Sequence, residues 1–480
     1  MNRIHAFNAN ASVIQNNTLM NLLEQAKNTE YGQKYNFESI TNLTAFQRMV
    51  PLVSYEDVES YIIRMRRGHS NILWSDPVEF FSKSSGTTGS ISKYIPVSYE
   101  SLHNCHYMGG KDMISLYVYQ FPQSRILFGK TFALAGSLDV EQGQAVSGDV
   151  SAVLTYNLPV WAKVLKTPPQ DIALLSDWEE KSRKIVDTIS QEDIRALAGA
   201  PAWVLAILKK VQKKVNQPLK NIWPNLEVFF YGGTSISPFR EEFAELLGPK
   251  MRYVSIYNAS EGFFGIQDDV SREGEMLLML DYDIFYEFIH RKSQEIFTVE
   301  NLVVGEVYEI IITTSGGLWR YRIGDLVQIV SLDPIRIRIV GRTKQYINVF
   351  GEELMVHNAE DALRVACKKT NATVHEFTAG PIFQTKKQQG GHEWYIEFEK
   401  QPQSLGEFAG ILDEELCKVN SDYNAKRNPA MNILQKVSVK SLPAGTFFSW
   451  MSSRNKLGGQ NKVPRLSNDR SYLDSIDSLL

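Results

Sequence analysis

Residues 226–262 restrict the fold more than any other stretch of this chain. Leu226-Glu227-Val228-Phe229-Phe230 is a run of strand length, and it delivers Tyr231-Gly232-Gly233-Thr234-Ser235 at its C-terminal end. A helical segment over 238–247 follows. Arg252-Tyr253-Val254-Ser255-Ile256 is then a second strand, closing in Tyr257-Asn258-Ala259-Ser260-Glu261-Gly262. Strand, helix and strand in this order describe a βαβ unit, and so an α/β chain with a parallel sheet. Open α/β sheets bind ligands beyond the carboxyl ends of their strands, where both small-residue turns fall.

A third turn of the same texture lies upstream. Ser84-Ser85-Gly86-Thr87-Thr88-Gly89-Ser90-Ile91-Ser92-Lys93 follows the β-like run Val78-Glu79-Phe80-Phe81, and eight of its ten residues are Ser, Thr or Gly. Glycine admits positive φ, so successive N–H groups can converge on an anion, and Lys93 adds a positive charge. A flexible linker is the plain alternative. The apolar segments on both sides favour a phosphate loop. It is not a Walker A, because Lys93 follows Ser92 and precedes Tyr94, and Gly86 and Gly89 lack the dinucleotide-binding spacing. The three turns are expected to converge on one site.

At 480 residues the chain exceeds a single core, so two or more domains are expected. A net charge of −3 and the absence of long like-charge blocks exclude a general nucleic-acid binder. Cys105, Cys367 and Cys417 are far apart and form no metal or disulfide pattern, which fits a reducing compartment. The N-terminus lacks a signal-peptide core, and no apolar window is long enough to span a membrane. A cytoplasmic protein, with the monomer favoured, is expected.

Elsewhere the pattern predicts a helix over residues 18–28 and another capped by Ser54. The latter ends in Arg64, Arg66 and Arg67, basic residues that complement a helix dipole. Ser98 caps a helix carrying His103 and His106, read as helix-surface histidines because no third metal ligand follows at motif spacing. Residues 126–128 and 131–134 read as strand, 137–150 as a loop over a cleft, and 171–189 as helix. Pro201 and Trp203 open an apolar helix; they suit a pocket wall or plain core packing. From Met276 the texture turns β-rich. There, Asp325 in Trp319-Arg320-Tyr321-Arg322-Ile323-Gly324-Asp325 stands after a glycine turn, suited to a ribose diol or simply to a hairpin. Beyond Gly341-Arg342-Thr343-Lys344 a small α+β domain runs to the end. Lys462, in Gly458-Gly459-Gln460-Asn461-Lys462-Val463-Pro464-Arg465, reads from its residues alone as a solvated loop lysine.

Taken together these segments resemble the acyl-adenylating superfamily of acyl-CoA synthetases and firefly luciferase. Within it the chain resembles the Gretchen-Hagen-type acyl-acid amido synthetases, known from plant auxin and jasmonate conjugation. The resemblance spans nearly the whole chain: Asn28-Thr29-Glu30-Tyr31-Gly32, Val50-Pro51-Leu52-Val53-Ser54-Tyr55, the Ser84–Lys93 loop, YNASEG, YRIGDL, GRTKQYINVFGEEL and NKVPR. It implies a large N-terminal domain, residues 1–342, with βαβ sheets and a β-rich subdomain, and a small mobile α+β C-terminal domain, residues 343–480.

By matching motif positions, the resemblance implies that Ser84, Ser85, Thr87 and Thr88 contact ATP phosphates. Gly232, Gly233 and Thr234 would lie along the adenine and acyl-adenylate, and Tyr257 would border the base. Ser260 would approach the α-phosphate, Glu261 would hold Mg²⁺, and Asp325 with Arg342 would take the ribose. Lys344 matches the hinge and Lys462 the catalytic lysine of adenylation, while Pro201 and Trp203 fall in the acyl pocket. Two departures stand out. Gly89 comes one position earlier than in plant members, and Gln460-Asn461 replaces their Gln-Tyr pair before the lysine.

The reaction so implied joins a carboxylic acid to ATP, releases pyrophosphate, and passes the acyl group to an amine, most simply an amino acid. The acid is already ionised near neutral pH, so its attack on phosphorus requires charge neutralisation rather than a base. The amine step requires a base that the sequence does not identify. Alternatives are a CoA-using adenylating ligase and a non-catalytic nucleotide-binding protein on the same fold.

Overall fold

The computed structural model describes residues 2–84, 93–139, 145–233, 236, 240–342, 346–385, 389–429, 433–454 and 463–480. Strands β1 (Phe80–Ser84) and β2 (Lys93–Val97) pair antiparallel, with Ser84 opposite Lys93. Strand β3 (Lys130–Ala133) belongs to a larger sheet. Strands β4 (Leu138–Asp139) and β5 (Val146–Gly148) complete the small sheet, in the order β2-β1-β5-β4. Strand β5 runs parallel to β1 with Gly148 opposite Ser82, so both strands end on the same side.

The large sheet has twelve strands and two halves. Its parallel half joins β3 to β6 (Lys166–Thr167), β7 (Ile194–Gly199), β8 (Val228–Tyr231) and β9 (Arg252–Ala259), in the order β9-β8-β7-β3-β6. Helices Trp178–Ile189, Pro201–Val215 and Arg240–Leu247 make the crossovers. All of β8 is buried, as expected of a parallel strand covered on both faces. The β8–helix–β9 unit is parallel, as its sequence pattern predicts.

The other half is antiparallel: β10 (Gly262–Ile266), β11 (Met276–Leu278), β12 (Ile284–His290), β13 (Ile296–Phe297), β14 (Val307–Thr314), β15 (Tyr321–Leu332) and β16 (Ile335–Arg342). Strands β9 and β10 are antiparallel neighbours, with Ala259 opposite Gly262. Ser260 and Glu261 therefore form the turn at which the sheet changes from parallel to antiparallel.

Toward the C-terminus, β17 (Tyr346–Ile347) pairs with β18 (Leu354–Met355) ahead of helix Val356–Thr370. Strands β19 (Thr373–Ile382), β20 (Gly391–Lys400) and β21 (Ser438–Leu442) form a separate sheet, with helices Leu405–Val419 and Ser421–Arg427 between its last two strands. The chain is thus a mixed α/β protein with a large N-terminal part and a smaller α+β C-terminal part. No helix among the described residues is long and apolar enough to cross a membrane.

Several motifs that carry the resemblance are structural joints. Thr29 caps the turn Glu30–Lys34. A Cβ on Gly32 would lie 2.1 Å from the Ala26 carbonyl oxygen, so only glycine fits there. Val53 bridges to Tyr321, joining the Val50–Tyr55 segment to β15. Arg320 is buried on Glu287, its Nε and Nη2 each 2.8 Å from a carboxylate oxygen, and Nη1 donates to the Gln47 and Val50 carbonyls.

The sequence reading requires local corrections. The first helix runs Asn2–Ala26, with a non-helical residue at Asn10, instead of starting near residue 18. Ile126–Phe128 is a 3₁₀ turn that buries only Ile126 and leaves Leu127 and Phe128 exposed. Residues 137–150 contain β4 and β5 rather than a loop alone, because β5 finds an open neighbour in β1. The helix expected over 171–189 is two, Gln170–Ala173 and Trp178–Ile189, divided where Asp177 accepts the Glu180 N–H and caps the second.

Candidate functional site

The loop between Ser84 and Lys93 connects the two strands of a hairpin. That topology differs from the strand-to-helix passage of a Walker motif. Ser85, Thr87, Thr88 and Gly89 lie outside the described residues, as do the side chain of Ser84 and all of Thr234, Lys344 and Lys462. Lys93 carries its Nζ 5.2 Å from the Tyr55 ring centre, Tyr55 Oη accepts the Tyr94 N–H, and the Arg66 guanidinium lies 3.5 Å over the Tyr94 ring. Arg64, by contrast, is engaged with Glu30 at 2.5 Å.

The small sheet is joined to the large one at the end of β1. Ser82, fully buried, donates its hydroxyl at 2.8 Å to the hydroxyl of Ser260 in the β9–β10 turn. The strand that leads into the first small-residue loop thereby meets the β9–β10 turn. Gly232 lies at the neighbouring strand end: a Cβ there would meet the Ile256 carbonyl oxygen at 2.8 Å, so glycine lets the end of β8 press against β9. Gly233 follows with φ of 78°, a conformation open to glycine.

Next along β9, Tyr257 is buried and donates its hydroxyl to Asp325 Oδ2 at 2.5 Å. Asp325 is not in a hairpin turn. It lies within β15 after Gly324, whose φ is 84°, and a register shift against β14 accommodates two extra residues as a bulge. Such bulges re-aim side chains beside binding sites. Asp325 is also opposite Arg342 in the β15–β16 ladder. Tyr257, Ser260, Asp325 and the backbone of Arg342 thus share one region of the sheet, and Glu261 is half-buried at the turn beside Ser260.

His106 corrects the surface reading of the histidine pair. His103 is exposed, but His106 is only 3% exposed, and its Nδ1 lies 3.1 Å from Asn258 Oδ1 in the YNASEG segment. Burial pushes its pKa down to about 4, against a smaller upward pull from Asn258. It is therefore neutral, and its Nδ1–H donates to the Asn258 side-chain oxygen. It sits in a π-helical stretch, Ser101–Tyr107, a distortion common near functional sites. No periodicity in the sequence marked that distortion.

Pro201 is buried at the first turn of its helix, directly after β7. Trp203 is half-buried and packs edge-on against Trp178 with ring centres 4.8 Å apart. From the C-terminal part of the chain, Lys426 brings its ammonium to 4.4 Å from the Trp203 ring centre. Sequence reasoning missed Lys426. It also missed Asp149, although Ser147-Gly148-Asp149 is one more small-residue strand end of the kind singled out elsewhere.

Among the described residues no group of three or more His, Cys, Asp or Glu side chains is arranged to hold a metal ion. A lone carboxylate such as Glu261 is nevertheless a suitable Mg²⁺ anchor when substrate phosphates and water supply the remaining oxygens.

Three family descriptions match the chain: the GH3 family N-terminal domain over residues 1–251, the GH3 family central domain over 277–342, and the GH3 family C-terminal domain over 357–471. A jasmonoyl–L-amino acid synthetase, JAR6 from Nicotiana attenuata, is 23% identical, covering 95% of this chain and 91% of its own. An indole-3-acetic acid-amido synthetase from Arabidopsis thaliana, GH3.10, is 21% identical, with coverage of 98% and 94%. Among solved structures, the GH3.15 acyl acid amido synthetase superposes with a TM-score of 0.62 at 17% identity, covering 98% of this chain and 94% of that one. A 2-hydroxyisobutyryl-CoA ligase in its thioesterification state superposes at 0.59 with 13% identity, covering 98% and 92%. The fold is that of the acyl-adenylating enzymes.

Proposed function

Because the chain belongs to the GH3 family, we propose that it is an ATP-dependent acyl-acid amido synthetase, joining a carboxylic acid to an amino acid through an acyl-adenylate. The observation that carries this reading is the Ser82–Ser260 hydrogen bond, which unites the strand before the Ser/Gly loop with the turn that bears Glu261.

In the first half-reaction a substrate carboxylate oxygen attacks the α-phosphorus of ATP, and pyrophosphate leaves with the electron pair of the broken P–O bond. Both reactants are anions, so the role of the protein is to neutralise and orient charge. Ser84, Ser85, Thr87 and Thr88 hold the phosphates, and Ser260 faces the α-phosphate. Gly232, Gly233, Thr234 and Tyr257 border the adenosine, with the ribose on Asp325 and Arg342. Lys462 supplies the mobile positive charge, and Lys344 is the hinge between residues 1–342 and 343–480. Mg²⁺, anchored at Glu261, would add charge neutralisation. Pro201 and Trp203 face the acyl group. In the second half-reaction an amine attacks the acyl carbon and AMP leaves. The three cysteines are free thiols, which supports a cytoplasmic setting.

The test is a panel of carboxylic acids that includes benzoate and indole-3-acetate, incubated with ATP, Mg²⁺ and mixed L-amino acids. Pyrophosphate and AMP release with an amide detected by mass spectrometry is the expected result. Product formation only after CoA is added would replace this reading with a thioester ligase. ATP binding without pyrophosphate release for any acid would favour a non-catalytic binder.

A further inference from the structure

The proposed chemistry assigns the nucleotide its ligands but leaves the carboxyl group of the acid without one. A buried pair beside the β9–β10 turn is suited to it. His106, with its proton on Nδ1 and given to Asn258, keeps a bare acceptor at Nε2, which is buried without a partner among the described residues. Such an unpaired group carries a desolvation cost that a leucine in the same position would not. What distinguishes the imidazole from a leucine is the amide that its Nδ1–H holds.

The π-helical stretch is seated on the strand that pairs with Asn258. In the β9–β10 ladder Asn258 lies opposite Phe263. Cys105 Sγ accepts the Phe263 N–H at 3.1 Å, and in the helix that follows, Met108–Gln120, a Cβ on Gly109 would lie 2.5 Å from the Phe263 ring. Glycine thus lets the helix press on β10 and fixes His106 against β9. Asn258 is half-buried, and its Nδ2 donates to no acceptor among the described residues. With Oδ1 taken by His106, both N–H groups of the amide are directed away from it and are available to a ligand. The strand sets where they lie. Tyr257 and Asn258 are successive residues of β9, so their side chains leave on opposite faces, one to Asp325 and the other to His106. Ser260, which touches Ser82, is two residues further on, about 7 Å along the chain.

We propose that Asn258 binds the carboxyl group of the acid substrate, its Nδ2 donating to the oxygen that does not attack phosphorus, and that His106 is the positioning residue that holds the amide in this orientation. This assignment rests on the amido synthetase reading given above, which puts the α-phosphate at Ser260. In an acyl-adenylate a single oxygen separates the acyl carbon from phosphorus, so the carboxyl group and the α-phosphate bind side by side, within reach of Asn258. An unrestrained asparagine could turn its oxygen toward the acid and repel it. Bonded to the N–H of a neutral imidazole, the amide presents nitrogen instead. The contact serves both half-reactions. In the first, one carboxylate oxygen bonds to phosphorus and pyrophosphate leaves, while the other oxygen stays on Nδ2. In the second, the amine lone pair bonds to the acyl carbon and the C=O electron pair moves onto the oxygen held by Nδ2. Collapse restores the carbonyl, the C–O bond to AMP breaks with its electrons leaving on phosphate, and one nitrogen proton passes to water. A fixed donor at that oxygen stabilises the charge where it develops.

The full-length enzyme tests this with acids that support pyrophosphate release, ATP and mixed L-amino acids. N258A is expected to lower kcat/KM for the acid in amide formation by about 100-fold or more. Equilibrium ATP binding, which also reports folding, should stay unchanged. H106L fills the buried position but cannot hold the amide, and a smaller fall in the same parameter is expected. H106Q, whose side-chain N–H can replace Nδ1–H, should recover most of that fall. Combining H106L with N258A should be no worse than N258A alone, because His106 acts only through Asn258. Unchanged acid kinetics in N258A, additive losses in the double variant, or H106Q no better than H106L would overturn the inference. If the parent enzyme releases no pyrophosphate with any acid, the adenylation reading is what fails. Binding then decides the carboxyl site: saturation-transfer NMR with benzoate and AMP should show benzoate signals in the parent chain that N258A abolishes. No signal in the parent, or equal signals in both, would overturn it.

Discussion

Tyr257 donates its hydroxyl to Asp325 Oδ2 across 2.5 Å, linking the last strand of the parallel half to the bulged strand of the antiparallel half. The bond crosses the boundary between the two kinds of sheet, close to the turn formed by Ser260 and Glu261. It holds Asp325 in one orientation, which supports the proposed ribose role because a diol-binding carboxylate must be preorganised.

Tyr257→Phe removes this donor and leaves the ring in place. A buried carboxylate deprived of one hydrogen bond loses about 1–3 kcal/mol. The KM for ATP is expected to rise about tenfold, with a smaller fall in kcat. Steady-state kinetics at varied ATP would show it, and an unchanged KM would separate Asp325 from nucleotide binding.

Lys462→Ala is expected to cut adenylation by about 100-fold or more, as for the loss of one preorganised charge at a developing anion. ATP affinity should stay nearly intact, since the proposed function assigns it to the loop groups and Asp325. Pyrophosphate release and equilibrium ATP binding, measured side by side, check both halves of the statement.

Arg320 and Glu287 are both at most 3% exposed. Arg320→Met strands a buried carboxylate and should destabilise the fold by about 3–5 kcal/mol in urea unfolding. Replacing Glu287 with Met as well should recover much of that loss, because the uncompensated charge is then gone. Failure of the double variant to recover would point to the Gln47 and Val50 carbonyls, which also accept from Arg320, as the larger contribution.

His106 gives a pH signature. Its pKa is held near 4 in the fold, against an ordinary value of 6.5. The unfolded chain therefore binds more protons between these values, and stability falls as pH drops from about 6.5 toward 4. The loss amounts to about 3 kcal/mol when fully developed. His106→Gln, which keeps a donor for Asn258, should flatten this part of the stability profile. An unchanged slope would assign the acid sensitivity to other groups.

The sequence carried its strongest information where chemistry and backbone geometry are written locally. Small-residue turns after apolar runs marked the ends of β1, β8 and β9, and alternating strands and helices marked the parallel sheet, because both depend on residues adjacent in the chain. Register and long-range pairing are different. Nothing near Asp325 announces that Tyr257, 68 positions earlier, will meet it. Nothing near His106 announces that a π-helical turn will bury it against Asn258, 152 positions later. Nothing near Arg320 announces that it will be buried on Glu287, 33 positions earlier, as a structural joint. By itself the sequence determined the fold class and the family, and it marked the small-residue loops proposed to bind the nucleotide. Only the tertiary structure decided which strand ends touch and that Lys426 reaches Trp203. Those relations depend on how separate hydrophobic layers pack, and packing brings together residues between which the intervening sequence holds no local signal.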